Sequence, residues 1–139
     1  MSVNVLYTTS ATATGGRDGH AKTADGALDV SLSTPKELGG AGGPGNNPEQ
    51  LFAAGYSACF GSAIQAVAGR DKIKPEAVHV TAEVTLVVNG HDYSIAVKLK
   101  AKIDGVSHEE AEKLVEEAHK VCPYSKATRG NIPVELEVL

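Results

Sequence analysis

The spacing of hydrophobic positions along this 139-residue chain changes several times, and each change marks an element. Val3, Val5 and Tyr7 alternate with Asn4 and Thr8, which predicts an early strand. The stretch SATATGGRDGH follows and reads as a turn region, punctuated by Gly15 and Gly16. Leu28, Val30 and Leu32 alternate with Asp29, Ser31 and Ser33, a second strand, and a loop rich in Gly, Pro and Asn comes next.

Residues 51–69, LFAAGYSACFGSAIQAVAG, then run without a single Asp, Glu, Lys, Arg or His. Pro48 suits the first turn of a helix, Asn47 its N-cap and Gly69 its end, so a helix is predicted over 48–69. Val80, Ala82, Val84, Leu86 and Val88 alternate with polar neighbours up to Asn89-Gly90, a strong hairpin signal. Ile95, Val97, Leu99 and Ala101 form the return strand, with Lys98 and Lys100 on its wet face. Ser107 and Glu110 make a capping box. Ala111, Leu114, Val115, Ala118 and Cys122 recur at helical spacing until Pro123 stops the helix. Ile132, Val134, Leu136 and Val138 alternate with Glu135 and Glu137, a last strand. The order β-β-α-β-β-α-β groups the strands before and after the helices, which predicts an α+β fold. The length fits one domain spanning 1–139.

The uncharged segment is long enough to span a bilayer. Its Ala, Gly and Ser content and its internal Gln65 supply little driving force for insertion, so we expect no membrane span. The reading preferred here is a helix buried on all sides in a soluble core, whose small residues let another backbone approach. Hydrophobic residues make up 42% and charged residues 22%, values that exclude disorder. The net charge of -4, with no basic patch interleaved with aromatics, argues against nucleic acid as a partner. The N-terminus shows no signal-peptide pattern, so a cytoplasmic location is expected. Two cysteines in that reducing compartment suit free, metal-bound or redox-active roles better than a permanent staple.

Gly40 to Gly45 satisfies G-x-G-x-x-G but lacks the context of a dinucleotide site. TPKEL separates it from the strand, Pro44 removes a donor, and no acid lies near Ile64. His20, His79, His91, His108 and His119 form no metal pattern, and neither cysteine belongs to a C-x-x-C pair, so no metal is expected. A cysteine in an apolar helix ordinarily packs as a small hydrophobe. Cys122, however, lies on the apolar stripe of the second helix. Packing that stripe against the uncharged helix brings both sulfurs inward, which suggests a redox couple. A reactive thiolate in apolar surroundings requires a cation. Arg70 lies eleven residues along the helix from Cys59, about 16 Å away, which is too far. Arg17 and Arg129 remain, and spacing does not choose between them.

The segments SACFGSA around Cys59 and VCPYSKATRGNI over 121–132 resemble the organic hydroperoxide resistance proteins of the Ohr/OsmC family. LYTTSATATGGRDGHAKTADG and NNPEQLFAAGYSACF extend the resemblance over essentially the whole chain. It implies an OsmC-like fold, with antiparallel sheets wrapped around long central helices in an intertwined homodimer. It also implies a thiol peroxidase that reduces organic hydroperoxides to alcohols. By matching motif, Cys59 is the peroxidatic cysteine, Cys122 the resolving one, and Arg17 and Glu49 the pair near the reactive sulfur. The resemblance further implies that no cofactor is bound and that an external dithiol, typically a lipoyl group on another protein, serves as reductant. Phe52, Tyr56 and Phe60 are expected to line an apolar approach to Cys59. The competing readings are an OsmC-type member with a different substrate range and a non-catalytic redox sensor or apolar-ligand binder.

Overall fold

A computed structural model describes residues 2–139. The chain falls into two compact units, one ending at Pro48 and the other spanning Glu49–Leu139. The first holds three short antiparallel strands, β1 (Ala11–Thr14), β2 (His20–Thr23) and β3 (Asp29–Ser31), in the order β1-β2-β3. The strand expected over residues 3–8 does not form. Residues 2–10 belong to no regular element, and Val3, Val5, Leu6 and Tyr7 are 79–94% exposed. Alternation alone does not make a strand. Its N–H and C=O groups need a neighbouring ladder, and among the described residues no strand pairs with them. The region read as a turn instead supplies β1, a 3-10 turn at Gly16–Asp18 and the start of β2.

The G-x-G-x-x-G segment packs on its own unit. Gly42 N–H donates to the Thr34 carbonyl (3.1 Å) and Gly45 N–H to Ser33 Oγ (3.0 Å), so these amides are already used.

The second unit begins with α1 (Pro48–Arg70) and continues with β4 (Ala77–Asn89) and β5 (Asp92–Asp104), which form the expected antiparallel hairpin. Its two-residue loop is Gly90-His91, one position later than Asn89-Gly90, because Asn89 pairs with Asp92. Gly90 supplies the positive φ of +66° that the loop needs. Lys100 reaches Glu83 across the wet face (3.0 Å), while Val97, Leu99 and Ala101 face the core. α2 (His108–Val121) starts at the capping box read from the sequence, with both reciprocal bonds present. α3 (Pro123–Thr128) and β6 (Val134–Val138) complete the unit. β6 runs parallel to β5, so the second sheet, β4-β5-β6, is mixed rather than purely antiparallel. α2 and α3 carry the chain back along the sheet, and the next strand therefore enters in the direction of β5.

The core joins Tyr56, Phe60 and Ile64 of α1 to Leu99 of β5 and to Leu114 and Ala118 of α2. The expectation that α1 is buried on all sides needs correction. Tyr56, Phe60, Ala63, Ile64, Val67 and Ala68 are buried, but Ala54, Ala58, Ser62 and Ala66 lie exposed on the opposite face. By length and composition α1 could cross a membrane, with a mean hydropathy of 1.3 and 33% of that window buried. Core helices of soluble proteins pass the same test, so this is weak evidence for a span.

α1 ends one residue beyond its predicted stop, at Arg70. Ile73 N–H bonds the Ala68 carbonyl (2.8 Å) and Lys72 N–H that of Gly69 (3.2 Å), the two bonds of a Schellman cap. Lys72 occupies its left-handed position at φ +58° and is the one non-glycine with positive φ among the described residues. Replacing Lys72→Gly removes the steric cost of that conformation. It should stabilise the protein by about 0.5–1 kcal/mol, read as a higher urea midpoint at unchanged m-value. A lower midpoint would mean that the lysine side chain outweighs the backbone cost.

Candidate active site

Cys59 sits in the middle of α1, and Cys122 at the corner between α2 and α3. The corner is fixed by its sequence. Pro123 restricts the residue before it to extended backbone, and Cys122 has φ -61° and ψ 124°. Cys122 N–H still donates to the Ala118 carbonyl (2.8 Å), while its own carbonyl accepts from Lys126 N–H (3.0 Å). The residue thus closes one helix and opens the next. Its side chain is fully buried, whereas Cys59 is half-buried. The Cys122 thiol donates to the Cys59 sulfur at an Sγ–Sγ distance of 3.5 Å. A disulfide needs about 2.05 Å, so both cysteines are free and about 1.5 Å of approach separates them from a bond.

Burial, the largest effect, pushes the Cys59 thiol above its ordinary range. The Tyr124 N–H pulls the other way, and the neighbouring Cys122 sulfur adds to the rise. The sulfur pair is therefore apolar enough to resist ionisation unless a cation is brought to it. Arg129 is committed elsewhere, its Nη1 donating to the His119 carbonyl at the end of α2 (2.7 Å). Arg70 lies beside Asp71 (3.3 Å) and Glu117 (3.8 Å). Arg17 belongs to the first unit, on the 3-10 turn Gly16–Asp18. That turn closes on Gly19, where a Cβ would lie 1.6 Å from the Thr14 carbonyl oxygen. Asp18 accepts the Thr34 N–H (3.0 Å), and this bond holds its carboxyl below the usual carboxylate range. Glu49 is in the first turn of α1. The helix is unbroken between Glu49 and Cys59, which places them about 15 Å apart along its axis. Cys59 and Cys122 are thus brought together as the sequence predicts, while Glu49 stands well away from the cysteine of its own chain.

Of the three aromatics expected to line the approach to Cys59, Phe52 lines a mainly apolar cavity of about 510 Å3 with Ile95, Pro123, Tyr124, Ala127, Thr128, Asn131 and Ile132, a cavity that neither cysteine lines. Tyr56 and Phe60 are fully buried and do not line it. Their rings are consumed by the core, Tyr56 packing edge-on against both Phe52 and Phe60. Tyr124 was missed from the sequence. Its ring packs on Phe52 (centroids 5.9 Å apart) and Tyr56 (5.6 Å), and its N–H faces Cys59. The clue lay in its place two residues after Cys122. Ser125 and Thr128, buried polar residues of α3, were also missed. Among the described residues no group of three or more His, Cys, Asp or Glu could hold a metal ion.

With this geometry in view, comparison with known proteins is specific. The sequence matches the OsmC-like protein family over residues 39–137. The chain belongs to that family. It is 56% identical over 133 residues to an organic hydroperoxide resistance protein of Xanthomonas axonopodis pv. citri, covering 95% of this chain and 94% of the relative. An organic hydroperoxide resistance protein of Legionella pneumophila has the same fold, with a TM-score of 0.92, 54% identity and coverage of 97% and 98% of the two chains. OhrB of Bacillus subtilis follows with a TM-score of 0.88, 42% identity and coverage of 97% and 100%. Within the OsmC-like family the chain groups with the organic hydroperoxide resistance proteins, and its α+β fold is theirs.

Gly55 makes room for Tyr124. A Cβ there would lie 2.6 Å from the Tyr124 hydroxyl and 3.2 Å from its ring. Gly55→Ala should push Tyr124 off α1 and cost about 1–3 kcal/mol in urea unfolding. Adding Tyr124→Phe, which removes the closest atom, should recover part of that loss. Strictly additive costs in the double variant would contradict the clash.

Proposed function

We propose that this protein is a cysteine-based peroxidase that reduces organic hydroperoxides to alcohols. The observation that carries the reading is the 3.5 Å approach of two sulfurs from positions 63 residues apart in sequence, and the two residues after Cys122, Pro123 and Tyr124, line an apolar cavity. The names of the relatives point to the same substrate class. The Cys59 thiolate attacks the terminal oxygen of the hydroperoxide. An S–O bond forms as the O–O bond breaks, and the alkoxide leaves and takes up a proton as the alcohol. Cys59 is left as a sulfenic acid. Cys122 attacks its sulfur, giving up the thiol proton, and the hydroxyl departs as water. The resulting disulfide is reduced by an external dithiol of lipoyl type through two thiol–disulfide exchanges. No bound cofactor or metal is required.

Arg17 supplies the cation that makes the thiolate accessible at neutral pH, and Glu49 holds the guanidinium through charge-assisted hydrogen bonds. We assign this pair to the second subunit of a homodimer. Supporting the assignment is the unbroken α1, which keeps Glu49 about 15 Å from its own Cys59. Support for a homodimer comes from the exposed small-residue face of α1 and from the alternating segment 3–8, which lacks a strand beside it within the chain. The enzyme works in the cytoplasm, with hydroperoxide and dithiol as its partners and no nucleic acid.

Peroxide consumption with dihydrolipoamide as reductant tests the proposal. Cumene hydroperoxide should be turned over much faster than hydrogen peroxide, and Cys59→Ser should abolish the reaction. Cys122→Ser should react and then inactivate as peroxide accumulates. An equal mixture of Arg17→Ala and Cys59→Ser chains, unfolded and refolded together, should regain about a quarter of wild-type activity, because half the dimers are mixed and each holds one intact composite site. No consumption by the wild type would refute the peroxidase. No recovery in the mixture would place Arg17 beside the cysteine of its own chain.

A further inference from the structure

One turn from the sulfur pair, three polar side chains buried in an otherwise apolar core are joined by a partly buried histidine. Tyr56 and Ser125 are fully buried and Thr128 is 5% exposed. Tyr56 Oη lies 2.8 Å from Ser125 Oγ and 3.0 Å from Thr128 Oγ1. His119 Nδ1 lies 2.8 Å from Ser125 Oγ. Thr128 Oγ1 donates to the Ser125 carbonyl (3.3 Å), an acceptor that has no proton to give.

Counting protons fixes the direction of every bond. Each hydroxyl carries one proton. Thr128 spends its proton on the carbonyl, so Tyr56 must donate to Thr128. Ser125 must then donate to Tyr56, and His119 must donate to Ser125 through Nδ1–H. The chain runs His119 to Ser125 to Tyr56 to Thr128 and back onto the α3 backbone, with every hydroxyl proton used once.

Its placement gives this network a task. Tyr56 precedes Cys59 by three residues on α1, and His119 precedes Cys122 by three residues on α2, so each shares a helix face with its cysteine. Ser125 and Thr128 lie on α3, the helix that Cys122 opens. The bonds therefore tie the helix bearing Cys59 to both helices that meet at Cys122. An apolar set of similar volume would fill the same space without the cost of burying hydroxyls, but only a satisfied polar network fixes one arrangement of the three helices.

We propose that Tyr56, Ser125, Thr128 and His119 are positioning residues for the resolving step. Their hydrogen-bonded chain clamps α1 to the α2–α3 corner and holds the Cys122 sulfur within reach of oxidised Cys59. The inference rests on the peroxidase reading above. The sulfenic acid on Cys59 has two fates. Attack by Cys122 gives the disulfide and water. Attack on a second hydroperoxide gives a sulfinic acid and a second alcohol. The first fate depends on holding the two sulfurs in line, and a misplacement of 1 Å costs up to about a hundredfold in such a step.

The test exposes the prereduced protein, without reductant, to increasing cumene hydroperoxide and reads the products by intact mass. The disulfide has lost two hydrogens, and the sulfinic acid has gained two oxygens. The measured quantity is the peroxide concentration at which the two products are equal. It should fall about tenfold or more in Ser125→Ala and in Tyr56→Phe. The second variant keeps the ring, so the test stands if the first fails to fold. His119→Leu should show the same fall, while His119→Asn, whose amide N–H can replace Nδ1–H, should stay at the wild-type value. Wild-type partition in both Ser125→Ala and Tyr56→Phe would overturn the inference and leave the peroxidase standing. An equal fall in His119→Asn and His119→Leu would also overturn it, since a donor would then not be what matters. A wild-type Cys59 untouched by the hydroperoxide would refute the peroxidase reading and the inference with it.

Discussion

Two thiols 3.5 Å apart in apolar surroundings impose opposite demands on the rest of the molecule. The sulfurs must be held close enough to bond, which calls for tight, dry packing. In the proposed mechanism one of them must also carry a negative charge, which the same dryness opposes. The second unit answers the first demand by itself. α1 supplies Cys59, the α2–α3 corner supplies Cys122, and β5 contributes Val97, Leu99 and Ala101 to the same core. It answers the second demand only in part. The Tyr124 N–H leans toward Cys59, but burial outweighs it. In the proposed mechanism the remaining charge comes from Arg17 of the first unit.

Small details of the fold serve the first demand. Gly55 leaves space for the Tyr124 ring, and the N–H of the same tyrosine faces Cys59. Pro123 ends α2 and starts α3 at once, so the backbone of Cys122 is bonded on both sides. Arg129 is drawn off to the end of α2, where it satisfies the His119 carbonyl. Desolvation, with the Arg129 charge assisting, holds the His119 imidazole below its ordinary range, which suits its place beside the core.

Elements that carry their own local signal were legible in the sequence. The β4–β5 hairpin, the capping box of α2 and the run of α1 follow from alternation, Ser107–Glu110 and an uncharged stretch opened by Pro48. Features that depend on a distant neighbour were not. Nothing in VELEV says that β6 runs parallel to β5; the crossover through α2 and α3 decides it. Residues 3–8 alternate as a strand should, yet no ladder within the chain receives them. HAKT is too short and polar to announce β2. Likewise, the charge-free face of α1 promised burial, but burial depends on what packs there. The cysteine pair was legible because both residues fall on apolar helix faces. Tyr124, Ser125 and Thr128 were not, because their roles come from the turn at Pro123, which local reading treats only as a stop.

The central claim is that Cys59 becomes a thiolate through a cation the second unit does not contain. The most direct measurement is the ultraviolet absorbance of the thiolate as a function of pH in Cys122→Ser protein, where Cys59 is the only cysteine, with and without Arg17→Gln. With Arg17 present, the midpoint should lie below the value of about 8.5 for a free thiol. With Arg17→Gln it should rise above that value, since burial then acts unopposed. Identical midpoints in the two proteins, or a Cys59 that stays protonated at neutral pH with Arg17 in place, would contradict the claim.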